Sequence, residues 1–96
     1  MAPTYEIDPR CVADWERLEP EMRRAFTAAL AKFVADLSAG QGLRAGLRVK
    51  RVQGADGVWE MTFAPDGCAT FRYGPERRQG QPHVIWRRIG THAALR

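Results

Sequence analysis

Residues 58–73 read VWEMTFAPDGCATFRY, and their periodicity sets the fold class. From Val58 to Phe63 the side chains alternate, so that Trp59, Met61 and Phe63 share one face and Val58, Glu60 and Thr62 the other. Period two is the repeat of an extended strand, whose successive Cβ atoms point to opposite sides. Ala64-Pro65-Asp66-Gly67 then supplies a proline of fixed φ followed by an Asp-Gly pair, the chemistry of a tight turn. Beyond it, Ala69, Phe71 and Tyr73 continue the apolar face, while Cys68, Thr70 and Arg72 continue the other. The stretch is a β-hairpin with one face to bury and one to leave in water.

Working outward, Leu47 and Val49 alternate with Arg48 and Lys50 and predict a strand before the hairpin. Gly74 to Gln81 reads as a polar loop carrying Arg77 and Arg78, and His83 to Ile89 as the last strand, left through Gly90-Thr91-His92. The cover for the apolar face comes from the first half. Thr4 to Ile7 is a short strand with Tyr5 and Ile7 on one face, and Asp8-Pro9 is an N-cap followed by proline at the first helical position. Val12, Trp15 and Leu18 then recur three apart, until Glu19-Pro20 ends one helix and opens another. Met22, Phe26, Leu30, Phe33, Val34 and Leu37 make a single apolar stripe from Pro20 to about Ser38, stopped by Gly40 and Gly42. The order predicts an α+β fold: an N-terminal strand and a two-helix hairpin packed on a curved antiparallel β-sheet, in one domain spanning 1–96.

A chain of 96 residues, 45% of them apolar, has material for one hydrophobic core, which excludes a multidomain enzyme and argues against a deep cofactor cavity. No cofactor and no metal are expected. No apolar run approaches the roughly 18 residues that cross a bilayer, and MAPTYEIDPR is not a charged-then-apolar leader, so the expectation is a cytoplasmic protein without a membrane partner. Cys11 and Cys68 are too few and too scattered for a disulfide framework or a metal knuckle and read as reduced packing residues. Charge is uneven: residues 1–43 carry a net −2 and residues 44–96 a net +6. Thirteen of the fifteen basic residues are arginine, whose planar fork of donors suits bidentate contact with phosphate. The second half is the candidate anion-binding half.

In this order of elements the chain resembles the RelE/ParE superfamily of toxins from type II toxin–antitoxin modules. The resemblance rests on YEIDPRCVADWERL (5–18), on GVWEMTF (57–63) with its Asp-Gly turn and ATFRY (69–73), most like the HigB branch, and on HVIWRRIGTH (83–92). It implies the RelE-like fold, a cognate antitoxin as partner, and one of two activities. RelE- and HigB-like members are metal-independent, ribosome-dependent endoribonucleases that cut messenger RNA and so inhibit translation; ParE-like members inhibit DNA gyrase without catalysis. An inactive relative that only binds its antitoxin is the third reading.

Cutting RNA without a metal needs a base for the 2′-OH proton, cations where phosphate charge builds, and an acid for the leaving 5′-oxygen. Glu60 lies between Trp59 and Met61, so with those two in the core it points outward, beside Arg72 one strand over. Glu60 is the candidate base or the partner that orients Arg72, Arg72 the charge stabiliser, and His92 the acid; the resemblance also implies a catalytic Arg or His near His92. Arg48, Lys50, Arg51, Arg77, Arg78, Arg87 and Arg88 are candidate RNA-binding residues, with at most one of Arg87 and Arg88 on the groove if their strand is regular. A cross-strand ion pair is the ordinary explanation of Glu60 and Arg72, and a strand-start role that of His83. Glu60 and Thr62 stand where RelE relatives often carry lysines, and Cys68 and Ala69 where they carry an arginine.

Overall fold

A computed structural model describes residues 2–95. Asp8 begins the first helix with its carboxylate: Oδ1 accepts the Arg10 N–H at 2.8 Å, and Pro9 occupies the first turn. That helix, α1 (Pro9–Arg17), gives way to α2 (Pro20–Ala39) through Leu18 and Glu19. Arg23 of α2 folds back to donate from Nε to the Trp15 carbonyl at 3.1 Å, which also accepts the Leu18 N–H, and from Nη2 to the Glu16 carbonyl at 3.0 Å at the end of α1. Gly40, at φ 71°, ends α2 in the left-handed conformation that glycine adopts without strain.

The strands are β1 (Thr4–Ile7), β2 (Lys50–Arg51), β3 (Val58–Ala64), β4 (Gly67–Arg78) and β5 (Gln81–Thr91), in the spatial order β1-β5-β4-β3-β2. The α+β class and the layering of two helices on a sheet are as the sequence predicts, and so is the turn at Pro65-Asp66. Three details differ. The sheet is mixed, because β1 lies parallel to β5, with Thr4 opposite His83 and Ile7 opposite Trp86. The strand expected at Leu47–Lys50 is a 3-10 turn, Ala45–Leu47, followed by two paired residues; Leu47 is buried by the turn rather than by alternation. Gly74–Gln81 is no loop: β4 and β5 continue as a hairpin arm closed by Arg78 opposite Gln81, with the register broken between Gly74 and Arg78, where Pro75 and Pro82 lack an N–H.

The core lies where the apolar face of the hairpin meets α2. Met61, Ala69 and Phe71 are fully buried, and Phe33, Phe71 and Trp86 meet as a ring cluster with centroids 5.1–5.3 Å apart. Phe26 joins it, edge-on to Trp86 at 5.4 Å and to Phe63 at 5.5 Å. Tyr5 and Ile7 share the helix-side face as expected, yet both stay exposed and line an open apolar groove of about 500 Å³ with Val12, Trp15, Phe26 and Val34.

Beyond Trp86, β1 no longer covers the edge of β5, and α1 takes its place. Asp14, a buried carboxylate, accepts the Ile89 backbone N–H at 3.1 Å and two bonds from Arg88, Nε at 2.7 Å and Nη2 at 3.0 Å. The Arg88 bonds, with the Ile89 amide, outweigh burial and hold the carboxyl below its ordinary value of 3.8. Asp14→Asn keeps the shape but surrenders charge-assisted bonds, so urea denaturation should show a loss of roughly 1.5–3 kcal/mol at pH 7. A depressed carboxyl stabilises the fold fully above about pH 3.8, and the wild-type advantage over Asp14→Asn should shrink as pH falls through the lower native value.

Gly67 is required for a different reason. A Cβ there would sit 2.7 Å from Phe63 Cε1 and 2.7 Å from Met22 Cε, and the ring cannot withdraw as the methionine end can. Gly67→Ala should cost about 1–3 kcal/mol, read as a lower thermal midpoint.

Candidate functional site

Register sets out the face of the sheet turned away from the helices. Lys50, Glu60, Thr70 and Arg88 form one row across β2, β3, β4 and β5. Thr62, Cys68 and Gly90 form the next row toward the Pro65-Asp66 turn, and Val58, Arg72 and Ile85 the row on the other side. Glu60 and Arg72 therefore share a face, as the alternation predicts, but they are diagonal neighbours, since Glu60 is opposite Thr70 and Arg72 opposite Val58. Among the described residues no hydrogen bond or ion pair joins the two. The Thr70 hydroxyl, between Glu60 and Arg88 in register, is buried and has no hydrogen-bond partner among them either.

The Glu60 carboxylate is held instead from the end of β5. Thr91 closes a turn after the strand, its hydroxyl accepting the Ala94 N–H at 3.1 Å and its carbonyl the Leu95 N–H at 3.2 Å. The turn carries His92 over the sheet, with Nε2 3.2 Å from Glu60 Oε1 and Nδ1 3.5 Å from Asp66 Oδ1. Side-chain exposures of 27% for His92 and 16% for Glu60 leave both within reach of a ligand. Cys68, 1% exposed, lies beneath them; one ligand atom each from Glu60, Cys68 and His92 fall within 4.8 Å of one another. The sequence reading assigned Cys68 to packing and so missed this cluster. Its only signal was that Cys68 and Glu60 alternate onto the same face.

The seven candidate RNA-binding residues do not form one patch. Lys50 is exposed opposite Glu60, and neither it nor Arg72 has an ion partner among the described residues. Arg51 turns to the other face and stacks on Trp59, its guanidinium carbon 4.9 Å from the ring centroid. Arg48 is exposed at φ 51° on the groove between α2 and the 3-10 turn. Arg77 and Arg78 lie on the hairpin arm, Arg77 with Nη2 3.1 Å from Glu6 Oε2. Arg87 is the extra residue of a bulge, since Arg88 pairs with Thr70 but Trp86 with Phe71. The strand is thus irregular where regularity was assumed, and Arg88 is occupied by Asp14. His83 is buried near the start of β5, its Nδ1 2.7 Å from the Thr4 hydroxyl and its Nε2 3.3 Å from Glu6 Oε2, so it ties β1 to the sheet.

No family model matches the chain, and no curated protein does. Solved structures do match it over nearly its whole length. The DinJ–YafQ toxin–antitoxin complex of E. coli superposes with TM-score 0.72 at 16% identity, covering 99% of this chain and 98% of that one. The chain has the RelE/ParE toxin fold. A copper-bound leucine-to-serine mutant toxin from Helicobacter pylori gives TM-score 0.68 at 15% identity over 100% of both chains. A YoeB/ParE toxin from Agrobacterium tumefaciens gives 0.65 at 13%, covering 93% of this chain and 98% of the other. At such identities the likeness is one of fold, and the RelE/ParE fold carries more than one activity, so function is argued from the site.

Proposed function

We propose that this chain is the toxin of a type II toxin–antitoxin pair and that it cleaves messenger RNA on the ribosome, without a metal ion, in the cytoplasm. The observation that carries the reading is the Glu60–His92 contact of 3.2 Å on the open face of the sheet, flanked in register by Lys50 and diagonally by Arg72. An acid, a base and two cations on one accessible face are the groups that phosphodiester cleavage by the neighbouring 2′-OH requires.

The 2′-oxygen attacks phosphorus while its proton passes to Glu60. The bond from phosphorus to the 5′-oxygen breaks, that oxygen takes a proton from His92, and a 2′,3′-cyclic phosphate remains. Attacking and leaving oxygens lie on opposite sides of phosphorus, so the scissile phosphate enters between Glu60 and His92 and parts them. Arg72 faces the charge that builds on the phosphoryl oxygens, and Lys50, Arg48, Arg78 and Arg87 hold backbone phosphates or ribosomal RNA. Arg51, Arg77 and Arg88 are drawn away by Trp59, Glu6 and Asp14, and they contribute through the fold first.

An antitoxin partner is supported by the likeness to YafQ in its complex with DinJ. The groove bordered by Tyr5, Ile7, Val12 and Val34 offers apolar area for a segment of such a partner.

In a ribosome-plus-messenger assay Glu60→Gln should slow cleavage roughly 10²- to 10⁴-fold and Arg72→Ala roughly 10²- to 10³-fold. His92→Gln, which removes the proton donor for the leaving oxygen, should slow cleavage by a similar factor, roughly 10²- to 10⁴-fold. Wild-type rates in these variants would remove the pair from the mechanism. Intact messenger together with blocked supercoiling would transfer the protein to the gyrase-inhibiting reading.

A further inference from the structure

Glu60, Cys68 and His92 bring a carboxylate oxygen, a sulfur and an imidazole nitrogen to one point, and only the first and last have a place in the chemistry above. We propose that these three side chains form a binding site for a divalent transition-metal ion, Zn²⁺ by its donor set, and that the bound ion blocks the Glu60–His92 pair. The inhibitory half rests on the nuclease reading. The binding half stands without it.

The donors fit the ion. Mixed oxygen, nitrogen and sulfur ligation is characteristic of Zn²⁺ and excludes Mg²⁺ and Ca²⁺, which take oxygen. Bond lengths of about 2.0–2.3 Å place neighbouring ligands of a tetrahedral site roughly 3.3–3.6 Å apart. The observed 3.2 Å from His92 Nε2 to Glu60 Oε1 is close to such an edge, and one ligand atom from each of the three residues lies within 4.8 Å of the other two. Closure therefore asks for a shift of about an ångström or less per ligand, given those bond lengths.

The scaffold suits that shift. Glu60 and Cys68 stand on adjacent paired strands, β3 and β4, and are fixed by their register. His92 lies on the turn after Thr91 and is free of the ladder, so it supplies the adjustment. Asp66 Oδ1, 3.5 Å from His92 Nδ1, is placed to accept that nitrogen's proton bond and leave Nε2 as the ligand, the outer-shell arrangement common to zinc-bound histidines. Three protein donors leave the fourth position of a tetrahedron open toward solvent, where water or a phosphate oxygen completes it. An ion there engages both groups that the reaction needs for proton transfer. A Glu–His ion pair needs no sulfur, so the thiol of Cys68 separates the two interpretations.

The test uses the full chain. ZnCl₂ titrated in a calorimeter should bind one ion per chain, and CoCl₂ should give a thiolate-to-cobalt charge-transfer band. Cys68→Ala should abolish the band and weaken Zn²⁺ binding at least tenfold; Asp66→Ala, which removes no ligand, should weaken it about 10- to 100-fold. Cys11→Ala is the control, because Cys11 sits in the core with its thiol pushed up to about 11 chiefly by burial, and it should leave the band intact. Circular dichroism identifies any variant that fails to fold, and Cys68→Ser then replaces Cys68→Ala in the comparison. Undiminished Zn²⁺ affinity in a folded Cys68 variant, or loss of the band in Cys11→Ala alone, would overturn the site. In the cleavage assay Zn²⁺ should stop the wild type and spare Cys68→Ala; stoichiometric binding without inhibition would overturn the switch. A chain that cuts no RNA would fail the nuclease reading while calorimetry and cobalt absorption still decide the site.

Discussion

The edge of β5 past Trp86 is the constraint on which the rest depends. A strand edge presents unpaired N–H and C=O groups, and β1 is only four residues long, so it stops at Ile7 opposite Trp86. Asp14 meets that exposure with one side chain: it takes the Ile89 N–H into a carboxylate and neutralises itself against Arg88. A buried carboxylate without such partners would be strongly destabilising. With them it fixes α1 against the half of β5 that ends in Thr91 and delivers His92 to Glu60. The strand that leads to His92 is thus held at its opposite edge by Asp14, which contacts Arg88 and Ile89 but neither Glu60 nor His92.

Much of the fold is legible in the sequence, because its signals are local. The alternation from Val58 to Tyr73, the Pro-Asp-Gly turn, the prolines at the first position of each helix and the stripe from Met22 to Leu37 depend on neighbours a few residues away. What escapes is non-local. Four residues of strand, Thr4–Ile7, do not reveal whether they pair parallel or antiparallel, and their partner lies nearly 80 positions on, at His83–Trp86. The arm from Gly74 to Gln81 shows no alternation because most of it is exposed and it has no core face to bury.

The site divides the same way. Period two suffices to put Glu60 and Arg72 on one face. It cannot supply the diagonal offset, which depends on register, or the approach of His92, which depends on the turn closed by the Thr91 hydroxyl. Composition overstates the basic surface for a related reason. Arg88 and Arg77 have carboxylate partners that lie 74 and 71 residues away in the chain, and Arg51 spends its face on Trp59. Lys50 and Arg72 have no ion partner among the described residues, and both flank Glu60.

That arrangement bears on why such a nuclease would need a second surface. The Glu60–His92 pair stands on one side of a five-stranded sheet, Glu60 rising from β3 and His92 reaching it from the turn after β5. In-line attack demands that 2′-oxygen, phosphorus and 5′-oxygen be nearly collinear, and most of the rate advantage of a positioned reaction comes from holding that geometry. One open face with a single acid–base pair can stabilise charge and move protons, but it does little to bend the backbone of free RNA into line. On the proposed function, a ribosome that holds the messenger in a fixed, splayed conformation supplies the missing orientation, and the protein supplies the chemistry. The proposed dependence on the ribosome is thus consistent with a site that offers an acid, a base and cations but little to orient the strand.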